Sequence, residues 1–375
     1  MKVILEAQHA VGHVQPRGVG HYSISIIQAL LRRKTFDYEL TFFDKGREMG
    51  NRERAFKYFG EYGVPMRECN ELDYRTASRD NGVWDIKNYN EWTGTDGDVY
   101  HFMNPISIPS KLKGKAVVTV HDMNDESHSE HTLSLFKTGF ERIKAIKPFI
   151  ITDSESSRSQ VLQYTSVPAE RIAVVYLSYD EDNLFPDPEP SPAAGGRYFL
   201  YLGAFAANKN IERIVEAFNI TAEKHKDIKL VLAGKPFWHK TDVIYQKIAV
   251  SPFRERITTP GYVDAETKRR LMSNAVCFLF PSLCEGFGLP VLEAMACGCP
   301  VITADNTSLP EVGGDAAVYV DAYSTEQLAF EMDRVASSVS FCEELRQKGF
   351  AQCKKFSWDK TAAETEEVYK IAAAS

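Results

Sequence analysis

Val276-Cys277-Phe278-Leu279-Phe280-Pro281-Ser282-Leu283-Cys284-Glu285-Gly286-Phe287-Gly288-Leu289-Pro290-Val291-Leu292-Glu293 is the stretch on which the reading of this chain turns. Its opening run, Val276 to Pro281, is apolar, aromatic and short, as a buried strand requires. Pro290 suits the first turn of a helix, Gly298 its end, and Pro300 the start of a new element before Val301-Ile302-Thr303. The unit reads strand, loop, short helix, strand.

A loop so placed lies beyond the carboxyl end of a strand and at the positive end of a helix, where backbone N–H groups receive phosphate oxygens. Gly286 and Gly288 let the backbone come close. Glu285 would stand at the rim and Glu293 about one turn inside the helix, so both can face one ligand from different heights. Carboxylates repel phosphate but accept hydrogen bonds from hydroxyls, so the pair suits a ligand with hydroxyls beside its phosphates, as a ribose or hexose has. A capped helix with two surface glutamates is the alternative reading of this spacing.

The same alternation runs through the chain twice, which argues for parallel sheets covered by helices. In the first half the apolar runs are Val3 to Leu5, Val99 to Phe102, Ala116 to Val120, Phe149 to Thr152 and Ala173 to Leu177. In the second they are Tyr198 to Leu202, Lys229 to Ala233, Arg256 to Thr259, Val276 to Phe280, Val301 to Ile302 and Val318 to Val320. Between the halves, Phe185 to Gly196 is too rich in Pro and Gly for a packed element and reads as a hinge. The expected α/β organisation is two doubly wound parallel-sheet domains, 1–185 and 198–356, with a linker at 186–197 and a closing amphipathic helix within 357–375.

Each half opens with a strand, a glycine loop and an amphipathic helix: Gly18-Val19-Gly20 leads into Tyr22 to Leu31, and Gly203 into Ile211 to Phe218. Neither is a dinucleotide fingerprint, because the Gly18 loop lacks both the third glycine and the acidic residue after a second strand. The loop suits close approach by a ligand or acceptor; a plain helix-starting turn is the other reading. Arg47 to Thr95 breaks the alternation and reads as a helical or looped insertion. Its Trp84 and Trp92, in a polar setting, would lay rings on the apolar faces of acceptor sugars or pack on their own sheet.

With 375 residues, 44% hydrophobic and 25% charged, the chain can bury two cores of ordinary size. A net charge of −7 disfavours nucleic acid and an anionic membrane as overall partners. The cluster Lys111-Leu112-Lys113-Gly114-Lys115 reads as a solvated turn, with peripheral contact to a lipid surface as the second reading. No secretory leader is read at Met1-Lys2, and the apolar region from Gly286 to Ala304 is too interrupted for a membrane span. Seven cysteines without small-scaffold spacing imply reduced thiols and a cytoplasmic protein. Cys297-Gly298-Cys299 has no second pair at zinc-site spacing and reads as small core residues at a helix end.

Asp96-Gly97-Asp98 directly precedes the strand at Val99 and reads as its entry turn rather than a metal-holding pair. His121, His128 and His131 lack the i, i+4 helical spacing with a glutamate that a zinc enzyme shows. Neither a metal nor another cofactor is expected.

Glu285 to Glu293 resembles the Glu-x7-Glu signature of the retaining glycosyltransferases of family 4, also called group 1. The likeness continues in order along nearly the whole chain, through Gly18-Val19-Gly20, Val120-His121-Asp122, Gly203 followed by Lys209-Asn210, Pro260-Gly261-Tyr262-Val263 and Phe356-Ser357-Trp358. It implies a GT-B fold: two Rossmann-like domains facing a central cleft, the first on the acceptor side, the second on the donor side, and a C-terminal helix crossing back to the first. It also implies metal-independent transfer of a hexosyl group, with retention, from a nucleotide-diphosphate sugar to a hydroxyl of a glycan or lipid-linked acceptor, as in cell-surface polysaccharide synthesis. GDP- or UDP-linked donors are favoured. An epimerase or phosphorylase on the same fold, or a silent sugar-nucleotide binding module, are the alternatives.

Carried onto this sequence, the resemblance gives His121 the donor hydroxyls, Gly261-Tyr262-Val263 the base and Glu293 the ribose. Ser282 and the N–H groups of Phe287, Gly288 and Leu289 would meet the sugar and diphosphate, with Gly18, Gly20, Gly203, Asn208 and Gly286 lining the donor. Glu285 lies nearest the chemistry, as nucleophile or as stabiliser of positive charge. Without a metal, the departing diphosphate must be neutralised by the protein, and Lys209 is the residue placed to do so. Two unit charges about 4 Å apart at an effective dielectric near 20 attract by roughly 4 kcal/mol. Many relatives carry an arginine where Ala204 or Asn208 stands here, and Arg17 is the candidate to replace it.

Overall fold

Short β-branched and aromatic runs suit strands buried on both faces, as in a parallel sheet covered by helices. The computed structural model describes residues 1–12, 18–44, 50–71, 86–123, 130–236 and 242–375. It divides into two units, Met1–Leu177 with Ser357–Ser375, and Ser178–Phe356.

Among the described residues, the first unit carries β1 (Lys2–Glu6), β2 (Asp37–Phe43), β3 (Met66–Cys69), β4 (Val99–Phe102), β5 (Lys115–Val120), β6 (Phe149–Thr152) and β7 (Ile172–Val174). They pair in the order β3-β2-β1-β4-β5-β6-β7, all parallel. The second unit carries β8 (Tyr198–Leu202), β9 (Lys229–Ala233), β10 (Ile257–Gly261), β11 (Cys277–Phe280), β12 (Val301–Ala304) and β13 (Ala317–Val320). These also run parallel, in the order β10-β9-β8-β11-β12-β13. In each sheet the winding reverses once, between β1 and β4 and between β8 and β11. Connections diverge there at the strands' carboxyl ends and leave the crevice in which doubly wound sheets hold ligands.

Two strands of the first unit escaped the sequence reading. β2 mixes Asp37, Glu39 and Thr41 with apolar residues, and Glu39 and Thr41 are nevertheless buried. Two cations explain the buried Glu39: Lys2 at 2.6 Å and Arg67 at 2.5 Å. β3 lies inside the stretch read as an insertion; as an edge strand it buries only Cys69. The helices Asn51–Phe59 and Tyr89–Thr93 make up much of the rest of that insertion's described part.

The boundary between the units falls after Leu177, earlier than the 186–197 linker read from composition. That proline-rich segment is fastened to the second unit. The Asp187 carboxylate meets Arg269 at 3.0 Å, its N–H donates to Ser273 Oγ at 3.0 Å, and Asn274 donates to the Asp187 and Glu189 carbonyls. The last helix, Trp358–Ala374, belongs to the first unit, as the resemblance implied. Arg33 pairs with Asp359 at 2.7 Å and Glu366 at 3.0 Å, Tyr38 donates to Glu366 at 2.9 Å, and the Tyr369 hydroxyl lies 2.6 Å from His101 Nδ1.

Candidate active site

In the second unit, the chain leaves β8 at Gly203, whose N–H donates to Ala233 O at 3.0 Å. A Cβ on neighbouring Gly234 would come within 1.8 Å of the Gly203 carbonyl, so two backbones meet where a side chain would not fit. The loop then makes a single turn, Ala207–Lys209, and enters the helix Ile211–Lys224 through Asn210, held left-handed at φ 57°. Asn210 donates to the carbonyls of Pro281 at 3.0 Å and Ala322 at 2.7 Å, which accounts for an unusual conformation outside glycine.

This loop is stitched to the one that follows β11. The Asn208 carbonyl accepts from Leu283 N–H and Ser282 Oγ, both at 2.8 Å, and its side chain donates to Cys284 O at 3.2 Å. The Asn208 Oδ1 atom is left buried without a hydrogen-bond partner. At the mouth, Lys209 Nζ meets Glu285 Oε1 at 2.5 Å, with side chains 20% and 12% exposed. Lys209 also sits over the Phe280 ring, 5.4 Å from its centroid. The Glu285 charge adds to burial in holding the Tyr201 hydroxyl protonated, far above its ordinary pKa.

Beyond Glu285 the chain turns through Gly288, at φ 108°, into the helix Leu289–Ala296, which has no side-chain cap. Such a start is a natural seat for an anion. Glu293, one turn further, is held by Lys268 at 2.6 Å. Lys268 lies on the helix Ala265–Asn274, and the sequence reading missed it because no motif links it to a glutamate twenty-odd residues away. Missed as well was Asn306-Thr307-Ser308 after β12. Ser308 Oγ donates to the Glu285 and Phe287 carbonyls at 3.0 and 2.8 Å, Thr307 Oγ1 accepts from Glu285 N–H, and Asn306 donates to the Ser282 and Leu283 carbonyls. Polar residues after a strand are too common to signal this.

Gly261 ends β10, and Tyr262 and Val263 follow it directly. Gly261 takes φ 79° with open space around its Cβ position, and Tyr262 is exposed with Lys235 Nζ 5.2 Å from its ring centroid. The second unit therefore brings Gly203, Asn208, Lys209, Ser282, Glu285 and the Gly286–Leu289 loop together at the β8/β11 reversal. Two lysine–glutamate pairs occur in this part of the unit.

In the first unit, Gly18 is the first residue of the helix Gly18–Arg33, and Gly20 is buried in it. Arg17 and Trp84 lie outside the described residues. His121, directly after β5, is bonded on both sides: Nδ1 is 2.6 Å from Asp153 Oδ2 and Nε2 is 3.1 Å from the Met103 carbonyl. Both partners only accept, so both nitrogens carry hydrogen and the ring is an imidazolium. Burial pulls its pKa down, but the Asp153 charge and hydrogen bond outweigh it and the net shift is upward. A sugar hydroxyl would have to share or displace the Met103 carbonyl, a constraint the sequence did not reveal. Trp92 packs against the cluster containing Tyr89, Tyr100 and Phe102, with Lys87 Nζ 4.7 Å from its ring centroid. The structure thus places Trp92 on its own core, partly exposed, in line with the packing reading. Lys113 pairs with Asp96 at 3.7 Å and Lys115 donates to Ser375 O, so the basic cluster is an exposed, internally paired turn.

The family profile described as "Glycosyl transferases group 1" matches residues 187–352. The O-antigen chain mannosyltransferase B of Escherichia coli is 28% identical over 374 residues, covering 94% of this chain and 96% of that one. The serotype-specific mannosyltransferase WbdA of the same organism is 30% identical over 281 residues, 68% of this chain but 34% of that longer protein. Among solved structures, Anabaena HepE in complex with UDP and glucose superposes with a TM-score of 0.75 at 16% identity, over 99% of this chain and 100% of that one. At such identity the likeness concerns the fold.

Proposed function

Because the chain belongs to the group 1 glycosyltransferases, we propose that it moves a mannosyl group from a GDP- or UDP-linked donor to a hydroxyl of a glycan or lipid-linked acceptor, with retention and without a metal. Mannose is preferred over other hexoses because both Escherichia coli relatives are named mannosyltransferases. The observation that carries the reading is the Lys209–Glu285 pair at the β8/β11 reversal, beside an uncapped helix start.

The diphosphate rests on the helix start at Gly288, and Lys209 shares its charge between Glu285 and the phosphate. As the bond from the anomeric carbon to the diphosphate breaks, its electron pair passes to the phosphate oxygen, where Lys209 stabilises it. The acceptor oxygen bonds to the same carbon and its proton leaves with the diphosphate. Glu285, already tied to an ammonium, serves as electrostatic stabiliser of the oxocarbenium-like centre rather than as nucleophile. Glu293, oriented by Lys268, takes the ribose hydroxyls, and Gly261-Tyr262-Val263 the base. We place the protein in the cytoplasm, with peripheral contact at the inner membrane face; no helix among the described residues is long and apolar enough to cross a membrane.

Nucleoside diphosphate release from GDP-mannose, UDP-glucose and UDP-galactose tests the reading. Lys209→Ala should lower kcat/KM by roughly 2 to 4 kcal/mol of transition-state stabilisation, with thermal stability little changed. Turnover that survives this substitution at the wild-type rate would remove the reading's basis.

A further inference from the structure

At the edge of the second sheet, away from its winding reversal, a pocket of about 400 Å³ opens beyond the carboxyl ends of β12 and β13. Small-molecule sites have volumes of about 300 to 1,000 Å³. The two strands stay in register to their last residues, Ala304 beside Val320, and the Asp305 N–H donates to the Val320 carbonyl at 3.0 Å. Asp305 and Asp321 are therefore the next neighbours, one leaving each strand, and both line the pocket. Adjacent strands lie about 5 Å apart, so two carboxylates stand side by side. Neither forms an ion pair among the described residues. Like charges on neighbouring strands weaken a sheet, so the pair is explained by what it binds rather than by what it holds together.

The hydrogen-bonding groups of this pocket are open. The Asp305 carboxylate accepts no hydrogen bond among the described residues, and Asp321 uses only Oδ1, which accepts the Tyr323 N–H at 2.8 Å. Gln327, in the first turn of the helix Thr325–Ser337, accepts the Asp321 N–H through Oε1 at 2.9 Å, which leaves its NH2 group available. Two aromatic rings complete the walls. Tyr319 is fixed, because its hydroxyl donates to the Gly314 carbonyl at 2.7 Å and lies where a Cβ on Gly313 would come within 2.4 Å. Burial, then the charges of Asp305 and Asp315, push its pKa up to about 12, so it stays a donor. Tyr323 is 71% exposed, and Arg213 steadies it, donating to its carbonyl at 2.5 Å with the guanidinium carbon 5.9 Å from the ring centroid.

Open carboxylates beside an amide and aromatic rings are the groups that meet a pyranose: acceptors for adjacent hydroxyls and ring faces for its C–H surface. Paired acids repel a phosphate. A hard cation takes about six or more oxygens, and no group of three or more His, Cys, Asp or Glu suited to a metal occurs among the described residues. Asn306, whose amide donates to the Ser282 and Leu283 carbonyls, also lines the pocket and stands between it and the loop that carries Glu285. We infer that the pocket is a saccharide subsite separate from the transfer site, in which vicinal hydroxyls of an unreacting sugar bridge Asp305 and Asp321 while Tyr323 covers its ring. A glycan seated here stays on the enzyme while the donor is exchanged. The choice of a sugar rests on the glycosyltransferase reading; the geometry by itself asks for a neutral polyol.

The test uses the full chain with 13C-labelled tyrosine rings in EDTA, the two signals being assigned by their loss in Tyr323→Leu and Tyr319→Phe. Methyl α-mannoside, α-mannotriose and chitobiose are titrated as probes, and nucleotide-sugar binding is followed separately by thermal shift. At least one saccharide should move both signals saturably, and equally in Lys209→Ala, whose transfer site is impaired. Tyr323→Leu and Asp321→Asn should each weaken that saccharide about tenfold, with nucleoside diphosphate release from the donor alone at the wild-type rate. Asp305→Asn and Asp321→Asn should also raise the melting temperature, because each removes the repulsion, whereas loss of a merely structural contact would lower it. Undisturbed tyrosine signals with all three sugars, shifts that appear only when calcium replaces EDTA, or a lowered melting temperature with sugar binding unchanged would overturn the inference. Saccharide binding with no thermal shift from any nucleotide sugar would leave this pocket standing and sink the donor reading instead.

Discussion

The crevices at β8/β11 and β1/β4 stand at the same place in two sheets of the same winding, yet they manage charge in opposite ways. At the second unit's reversal both members of each ion pair keep some exposure: Lys209 with Glu285 and Lys268 with Glu293 have side chains 12% to 23% exposed. An incoming diphosphate can rearrange them at modest cost. In the first unit the acids lie deeper, Asp153 being 3% exposed beside His121 at 13%, and Glu6, 1% exposed, forms no ion pair among the described residues. Shared topology therefore fixes where a ligand can sit, while side-chain desolvation decides what kind. Substitutions in the first unit should show mainly as stability and in the second mainly as activity.

The largest effect is expected at His121. Asp153→Asn strands a buried imidazolium and should cost about 3 to 5 kcal/mol in urea unfolding. A histidine whose folded pKa is raised contributes stability that is full below its ordinary value near 6.5 and is lost as pH rises through the higher folded value. The penalty should accordingly shrink in alkaline solution, and equal penalties at pH 6 and pH 9 would break the contrast between the units. Next comes Glu6. An acid raised from 4.5 to about 7 leaves the folded state with a stability contribution that is full below 4.5 and is lost as pH climbs to about 7. Relative to wild type, Glu6→Gln should lack a fall on the order of 3 kcal/mol between pH 4.5 and 8. Parallel pH profiles would show that the carboxyl is not desolvated as described.

Gly288→Ala should cost about 1 to 2 kcal/mol, since φ 108° strains any L side chain and the new Cβ would lie 2.9 Å from Leu309 Cδ2. The donor KM should rise with it, which sharpens the claim that this turn aims the helix start at the ligand; an unaffected KM would detach the two. Lys268→Met should have the smallest effect, about 1 kcal/mol or less, because its pair remains partly solvated. A several-fold rise in donor KM with unchanged melting temperature is expected, and a destabilised but fully active variant would reverse the assignment.

The architecture was largely legible because continuous apolar runs such as Tyr198 to Leu202 and Phe149 to Thr152 admit little besides buried parallel strands. β2 was hidden because its buried Glu39 is made tolerable by Lys2 and Arg67, both distant in sequence. The loop from Glu285 to Leu289 was legible for a similar reason: glycines at forced backbone positions and a carboxylate leave a local trace. Lys268, Asp153 and the support from Ser308 left none, since each acts through a contact that only the folded chain creates. Trp92 shows the opposite case, an aromatic ring whose polar company in sequence left two readings open and which packs on its own core.

The helix Trp358–Ala374 completes a unit whose other residues end at Leu177. On the ribosome, Ser178–Phe356 emerges as one uninterrupted length and can reach its native form first, whereas the earlier-made portion must wait for the final stretch to be translated. Until then Arg33, Tyr38 and His101 lack Asp359, Glu366 and Tyr369. The half synthesised first is thus the half finished last, and a premature stop codon shortly after residue 356 would injure that half while sparing the other.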